Sequence, residues 1–223
     1  FAREAELLAR VKHPNVLAIH TFGNAPEGPY LVTERVEGTD LQELLRNGRF
    51  DPGRAAALVE QVARGVAALH AQGVIHRDLK PANVIVDDAD TPTLLDFGLA
   101  MDVSAERLTQ TGAVIGTPGF MSPEQADIGS ARTTDPRVDV YGLGAILFAL
   151  LSGHPPFSGG SLLSILANVM SEEPRWPSRD HPEIPPDLDV ICKRAMAKRP
   201  ADRYPTADAL ADDLARLLAG EEL

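Results

Sequence analysis

Four polar side chains between positions 74 and 98 have the types and the spacing that suit chemistry on an anionic substrate. They are Asp78, Lys80, Asn83 and Asp96. A carboxylate can accept a proton, and a lysine two residues further along an extended loop points the same way and can neutralise a negative group. Carboxylate and amide oxygens are the ligands that Mg²⁺ prefers. Taken singly each residue indicates little, because an aspartate after an arginine is usually half of a surface ion pair, and Asp-Phe-Gly is usually a turn.

Two motifs contain these residues: Val74-Ile-His-Arg-Asp-Leu-Lys-Pro-Ala-Asn-Val-Ile-Val86 and Leu95-Asp-Phe-Gly98. In this order they resemble the catalytic core of bacterial-type Ser/Thr protein kinases, in the eukaryotic-like protein kinase family. The resemblance implies transfer of the ATP γ-phosphate to Ser or Thr of proteins, with ATP and Mg²⁺ as cofactors.

The resemblance also implies a role for each of the four residues. Asp78 orients the acceptor hydroxyl and takes its proton, and Lys80 neutralises the γ-phosphate. Asn83 and Asp96 are the metal ligands and, with Lys80, contact the nucleotide.

Three further residues match positions that stabilise this family's fold. Ser122-Pro-Glu124 resembles the family's Ala-Pro-Glu, with one change. By the same resemblance Asp139 holds the backbone of the catalytic loop, and Arg203 forms an ion pair with Glu124. An ordinary surface arginine is the alternative interpretation of Arg203.

The adenine site is expected near the segment Thr33-Glu-Arg-Val36. It resembles the family's gatekeeper and hinge, which implies that Thr33 leaves a back pocket open and that the backbone of Glu34 and Val36 binds adenine. Ile85 would touch the ring from below. The alternative is that this segment is only the end of an apolar strand.

The segment 108–120 resembles the activation loop of bacterial transmembrane-receptor-like Ser/Thr kinases. The resemblance implies that Thr109 and Thr111 are phosphorylated and that their phosphates pair with Arg77 and order the loop. Thr117 would contact the catalytic loop instead. The alternative is that these are ordinary threonines of a mobile loop.

Hydrophobic periodicity and turn residues predict the elements that position these side chains. The expected fold class is α+β, a bilobal protein kinase-like fold over 1–223. Residues 1–37 would be a partial N-lobe with a regulatory helix and two strands, and 38–223 a mainly helical C-lobe. The predicted helices are 1–12, 39–46, one opening at Asp51-Pro52 and ending near Gly73, 138–151, 160–171, 187–197 and 206–219. The predicted strands are 16–22, 29–36, 74–75, 84–86 and 93–95.

Two family features are not found before Glu4, which would pair with the phosphate-binding lysine. There is no Gly-rich loop and no strand-3 lysine. We therefore expect a truncated piece of a conventional kinase, inactive alone, with segment 1–37 frayed or self-associating. The alternatives are a noncatalytic scaffold or pseudokinase that binds protein partners and, more distantly, a small-molecule phosphotransferase.

Composition narrows the range of partners. The chain has 223 residues and a net charge of −11, which argues against general binding of nucleic acid or of an anionic membrane. The single cysteine, Cys192, cannot form an internal disulfide and excludes a zinc site built from several thiolates. We expect a cytoplasmic segment whose parent is soluble or anchored elsewhere. Its expected partners are protein substrates with Ser/Thr acceptors and a second copy, for trans-autophosphorylation.

Overall fold

The computed structural model describes residues 6–26, 28–95, 118–127 and 134–222. The strands are β1 (Ile19–Ala25), β2 (Gly28–Thr33), β3 (Thr39–Asp40), β4 (Val84–Val86) and β5 (Pro92–Leu94). The helices are α1 (Leu41–Leu45), α2 (Pro52–Ala71), α3 (Pro123–Ala126), α4 (Arg137–Ser152), α5 (Leu162–Ser171), α6 (Pro186–Ala195) and α7 (Ala207–Leu218). Short 3₁₀ turns cover Pro81–Asn83 and Pro118–Phe120. Of the helix predicted over 1–12, residues 6–8 are helical and 1–5 lie outside the described residues.

Helix α4 is the centre of the helical part of the molecule. Every residue from Val138 to Leu151 is buried, as an apolar sequence without a polar face predicts. The helix packs against α2 and α6, and it ends at Gly153, whose φ of 83° is left-handed. Because glycine adopts this conformation without a Cβ penalty, Gly153 is a suitable C-terminal cap.

Helix α2 begins where the sequence predicts it. The carboxylate of Asp51 accepts a hydrogen bond from the amide of Arg54 at 3.0 Å, and Pro52 occupies the first helical position. These two features satisfy a free amide and preset the backbone angle at the helix N-terminus. The apolar face of α2 packs against α4, and α7 also packs on α2.

The described residues form two small antiparallel sheets. Strands β1 and β2 pair with Ile19 opposite Thr33, and β4 lies between β3 and β5 in the second sheet. A parallel bridge between Val16 and Leu94 connects the segment before β1 to β5. The segment that bears the predicted hinge therefore lies between the two sheets.

One predicted strand is wrong. Residues 74–80 have no regular structure, although Val74 and Ile75 are a short apolar run typical of a buried strand. The amides of residues 76 and 77 donate to a side chain of α4 instead of to a neighbouring strand. Within the described residues, no helix is both long enough and apolar enough to span a lipid bilayer.

Candidate active site

The loop 74–83 is held by one buried carboxylate. Asp139 lies in the first turn of α4 and is 1% exposed. Its Oδ2 accepts a hydrogen bond from the amide of His76 at 2.8 Å, and its Oδ1 accepts one from the amide of Arg77 at 2.7 Å. Its Oδ2 also lies 2.8 Å from Nε2 of His70 on α2. A carboxylate with several donors fixes the backbone of an otherwise irregular loop.

His76 links this loop to Leu95, the residue that follows β5. The side chain is fully buried, and Nε2 lies 2.8 Å from the carbonyl oxygen of Leu95. Since a carbonyl only accepts, Nε2 carries the proton and Nδ1 is the acceptor. The amide of Asp78 donates to Nδ1 at 3.2 Å. The imidazole of His76 therefore links the backbone of Asp78 to the backbone of Leu95, which directly precedes Asp96.

Asp78, Lys80 and Asn83 meet in one cluster. Nζ of Lys80 lies 2.6 Å from Oδ2 of Asp78. Nδ2 of Asn83 donates to the same oxygen at 3.1 Å and to the carbonyl oxygen of Asp78 at 2.8 Å. The Asp78 side chain remains 32% exposed. Its Oδ1 accepts no hydrogen bond from the described residues.

The side-chain amide of Asn83 is oriented by its nitrogen. Its amide nitrogen makes both of the bonds to Asp78, which places Oδ1 on the other side of the group. The residue is 5% exposed and sits in the 3₁₀ turn that leads into β4. A preoriented amide oxygen beside a carboxylate fits the oxygen ligands that Mg²⁺ takes.

Glu124 and Arg203 form the bidentate ion pair that the sequence suggests. Both guanidinium–carboxylate contacts, Nη1–Oε1 and Nη2–Oε2, are 2.7 Å. The Arg203 side chain is fully buried and also donates to backbone carbonyls at positions 137, 197 and 198. Because all these carbonyls and the carboxylate are satisfied together, the pair joins α3 to the start of α4 and to the segment after α6.

Electrostatics around this ion pair follow from burial and from neighbouring cations. Hydrogen bonds from Arg137 hold the pKa of Asp135 below its usual value. Burial raises the pKa of Tyr141, whose ring lies 5.0 Å below the guanidinium carbon of Arg203. Tyr141 is therefore a neutral, apolar platform for the arginine.

The predicted hinge residues lie in an irregular segment between the two sheets. The amide of Glu34 donates to the carbonyl oxygen of Ala18 at 3.0 Å, and the hydroxyl of Thr33 donates to the carbonyl oxygen of Glu34 at 2.9 Å. The amide of Glu34 is therefore engaged within the protein. The backbone N–H and C=O of Val36 bond to no described residue.

Strand β3 follows this segment in the chain and pairs with β4, the strand that contains Ile85. Asp40 of β3 pairs with Ile85 of β4. At Gly38, just before β3, φ is 140°, and a Cβ would lie 2.3 Å from the carbonyl oxygen of Val86. Only glycine fits such an approach, so the segment rests directly on the strand that bears Ile85.

Several predicted site residues lie outside the described residues. They are Glu4, Asp96, Thr109, Thr111 and Thr117. Arg77, the expected phosphate partner, is described and has a φ of 65°. A non-glycine residue in this region is uncommon and often marks a functional loop.

Similarity to known proteins shows the family of this chain. The protein kinase domain model matches residues 1–214. This chain belongs to the protein kinase domain family. Serine/threonine-protein kinase PknB of Mycolicibacterium smegmatis is 38% identical over 228 residues, which cover 99% of this chain and 36% of that protein. The probable serine/threonine-protein kinase CE0033 of Corynebacterium efficiens is 39% identical over 225 residues, covering 96% of this chain and 34% of that protein.

Solved kinase structures have the same fold. The Mycobacterium tuberculosis PknI kinase domain matches with a TM-score of 0.74 and 27% identity, covering 97% of this chain and 76% of that one. Rad53 1-466 in complex with AMP-PNP matches with a TM-score of 0.79 over 95% of this chain and 53% of that one; at 24% identity it shows the fold alone. The expected bilobal kinase fold is confirmed. The chain spans about a third of the length of its curated relatives.

Two contacts around the loop 74–83 were not predicted from the sequence. One is the His70–Asp139 contact described above. The other is made by Gln125, whose Nε2 donates to the carbonyl oxygen of Arg77 at 2.6 Å while its Oε1 accepts from the amide of Ser122 at 3.1 Å. The serine and the glutamine are spaced as in a capping box, which is the signal that marks Gln125. Nothing in the sequence indicates its bond to the carbonyl of Arg77.

Proposed function

We propose that the protein transfers the γ-phosphate of ATP to Ser and Thr hydroxyls of proteins, with Mg²⁺. The observation that carries this proposal is the Asp78 carboxylate: one oxygen is held by Lys80 and Asn83, and the other accepts no hydrogen bond from the described residues. A carboxylate held in this way can orient an incoming hydroxyl and accept its proton. The curated relatives named as serine/threonine-protein kinases support the same reaction.

The chain's own residues account for the positioning that phosphoryl transfer requires. Lys80 forms an ion pair with Asp78, and its charge would also offset charge on a transferred phosphoryl group. The amide oxygen of Asn83 and the carboxylate of Asp96 are ligand types that Mg²⁺ takes, and Mg²⁺ held by them would neutralise charge on the phosphates. Because the amide of Glu34 is engaged, adenine would be bound by the carbonyl of Glu34 and the backbone of Val36.

Regulation and context are part of the proposal. Phosphates on Thr109 and Thr111 would pair with Arg77 and order the loop, with Thr117 against the catalytic loop. Glu4 would pair with the phosphate-binding lysine. The domain would divide into an N-lobe part over 1–37 and a C-lobe over 38–223, act in the cytoplasm on protein substrates, and meet a second copy during autophosphorylation.

The substitution Asp78→Asn tests the reaction in the natural protein expressed from its whole reading frame. We expect kcat for transfer to a protein substrate to fall about 10²–10⁴-fold, because the proton acceptor is lost. The Kd of Mg-ATP should change less than about threefold, since Asp78 faces the acceptor. Asp96→Asn should weaken Mg-ATP binding as well. The matched control is Asp88→Asn, an exposed aspartate in the turn between β4 and β5.

The outcomes separate an enzyme from a scaffold. Transfer that persists unchanged in Asp78→Asn, or equal effects of both substitutions on the nucleotide Kd, would contradict the assigned roles. A folded natural protein that transfers no phosphate would favour the noncatalytic scaffold. Mass spectrometry of an active preparation should find phosphate on Thr109 and Thr111, and an unmodified loop would refute the regulatory part.

A further inference from the structure

Gly142 lies in the buried interior of α4, where it contacts the loop 74–83. A Cβ added to Gly142 would lie 2.7 Å from Cβ of Leu79, and 3.5 Å from both Cδ1 and the carbonyl oxygen of the same residue. Glycine is less favourable in a helix interior than any residue except proline. Local helix preference therefore does not explain a glycine at this position, whereas the close approach of Leu79 does.

The atom that a side chain at position 142 would meet cannot move by itself. Cβ of Leu79 is bonded to the backbone, so a rotation of the side chain does not displace it. A separation of 2.7 Å is about 0.7 Å shorter than the 3.4 Å at which ordinary van der Waals contact begins. The backbone of Leu79 would therefore have to recede from α4 by a similar distance.

Two residues of α4 hold the loop on either side of Asp78. The carboxylate of Asp139 binds the preceding amides at 76–77, at 2.8 and 2.7 Å, and Gly142 receives the following residue, Leu79. Asp139 and Gly142 are three positions apart, so they lie on the same face of the helix. The residue between the two anchored parts of the loop is Asp78.

Neither α4 nor the preceding part of the loop can absorb a displacement of Leu79. Helix α4 is buried over residues 138–151 and packs against α2 and α6, and the amides at 76–77 are bonded to a buried carboxylate. The displacement therefore falls on the two neighbours of Leu79, Asp78 and Lys80, whose Oδ2 and Nζ are 2.6 Å apart.

We propose that Gly142 is a positioning residue for phosphoryl transfer. Its lack of a side chain seats Leu79 closely on α4 and thereby aims Asp78 at the acceptor hydroxyl and Lys80 at the transferred group. The inference rests on the proposed function. A misplacement of about 1 Å can lower the rate of an enzyme about 100-fold, so a displacement of about 0.7 Å at Leu79 is large enough to reduce kcat at least tenfold.

Gly142→Ala in the natural protein, expressed from its whole reading frame, tests this role. We expect kcat for transfer to a protein substrate, counted per nucleotide-binding site, to fall at least about tenfold. The Kd of Mg-ATP should change less than about threefold, because the substitution displaces residues 78–80 and leaves the hinge in place. Circular dichroism and thermal unfolding show whether the variant is folded.

The matched control is Gly144→Ala on the same helix. A Cβ at this position would lie 2.6 Å from Cβ of Ala195, so the substitution crowds α4 as strongly, but against α6 and not against the loop. Its kcat should stay within about threefold of the wild type, because Asp78 and Lys80 are not displaced.

Leu79→Ile tests the same contact from the side of the loop and decides the question if Gly142→Ala does not fold. Isoleucine has as many carbons as leucine, but it carries a second carbon on Cβ, the atom that faces Gly142. We expect kcat to fall at least about threefold while the Kd of Mg-ATP stays within about threefold of the wild type.

The outcomes separate this role from general packing. Equal losses of kcat in Gly142→Ala and Gly144→Ala would overturn the positioning role and leave the proposed function standing. So would an unchanged kcat in folded Gly142→Ala or in Leu79→Ile, or a Kd of Mg-ATP that weakens in parallel with kcat. A folded wild-type protein that transfers no phosphate would overturn both.

Discussion

The loop 74–83 and the β1–β2 strand pair are stabilised in opposite ways. Residues 74–80 have no regular structure, yet the loop is held by Asp139, His76 and Asn83, which are 1%, 0% and 5% exposed. The strand pair has a regular ladder, yet it exposes Tyr30 and Val32 at 46% and 44%. Regular secondary structure is therefore a poor guide to which of the two regions is firmly held.

The reason is where the hydrogen-bond partners come from. Amides of the loop donate to a buried carboxylate on α4. Their hydrogen bonds to water in the unfolded chain are therefore replaced by stronger bonds to this carboxylate. The ladder of β1 and β2 is made by the two strands themselves, and a two-stranded sheet is marginal alone.

The largest expected effect comes from removing the acceptor of the loop. Asp139→Ala should lower the free energy of unfolding by about 3–5 kcal/mol, because the backbone amides of residues 76 and 77 and the side chain of His70 lose their partner. Urea denaturation followed by circular dichroism measures this. The exposed Asp88→Ala should change the same quantity by less than about 0.5 kcal/mol. Equal effects of the two variants would show that the loop does not depend on α4.

Hydrogen exchange on the 223-residue chain compares the two regions directly. The hydrogen-bonded amides of β1 and β2 should exchange at least about 100-fold faster than those of α4, which corresponds to about 2.7 kcal/mol. Strong protection of residues 29–33 in a monomer would remove the difference between the regions. It would also contradict the expectation that segment 1–37 is frayed or self-associating.

A smaller effect is expected for the contact between α3 and the catalytic loop. Gln125→Leu removes the donor to the carbonyl of Arg77 and the acceptor for Ser122, at a cost of about 1–3 kcal/mol in unfolding free energy. In the natural protein it should also lower kcat with little change in the KM for ATP. Gln125→Glu keeps the acceptor alone and should show the same loss of kcat. Gln72→Leu, at an exposed glutamine that ends α2, is the control.

The smallest effect is expected on the exposed face of β2. Replacing Tyr30 and Val32 by threonine keeps strand-compatible residues and should change the unfolding free energy by less than about 0.5 kcal/mol for each site. If the chain self-associates, sedimentation should show less association in the double variant. A loss of several kcal/mol would mean that this face is packed and not exposed.

Much of the fold and part of the site followed from local patterns. Asp51-Pro52 predicted the start of α2, and the apolar run 138–151 predicted a buried α4, because a capped start and an all-round apolar surface depend on neighbouring residues only. The resemblance to a family motif marked Asp78, Lys80 and Asn83 as site residues, and the six positions 78–83 of one loop cannot lie far apart.

The tertiary structure decided what the local patterns left open. Val74 and Ile75 were predicted as a strand, but Asp139, more than sixty residues away, draws the adjoining amides out of any ladder. Gln125 reaches Arg77 across 48 positions, and no periodicity carries information over that separation. The sequence by itself therefore determined the helices and the chemical groups of this protein. Only packing around α4 determined the backbone path that aims those groups, because a buried carboxylate can replace a strand as the partner of backbone amides.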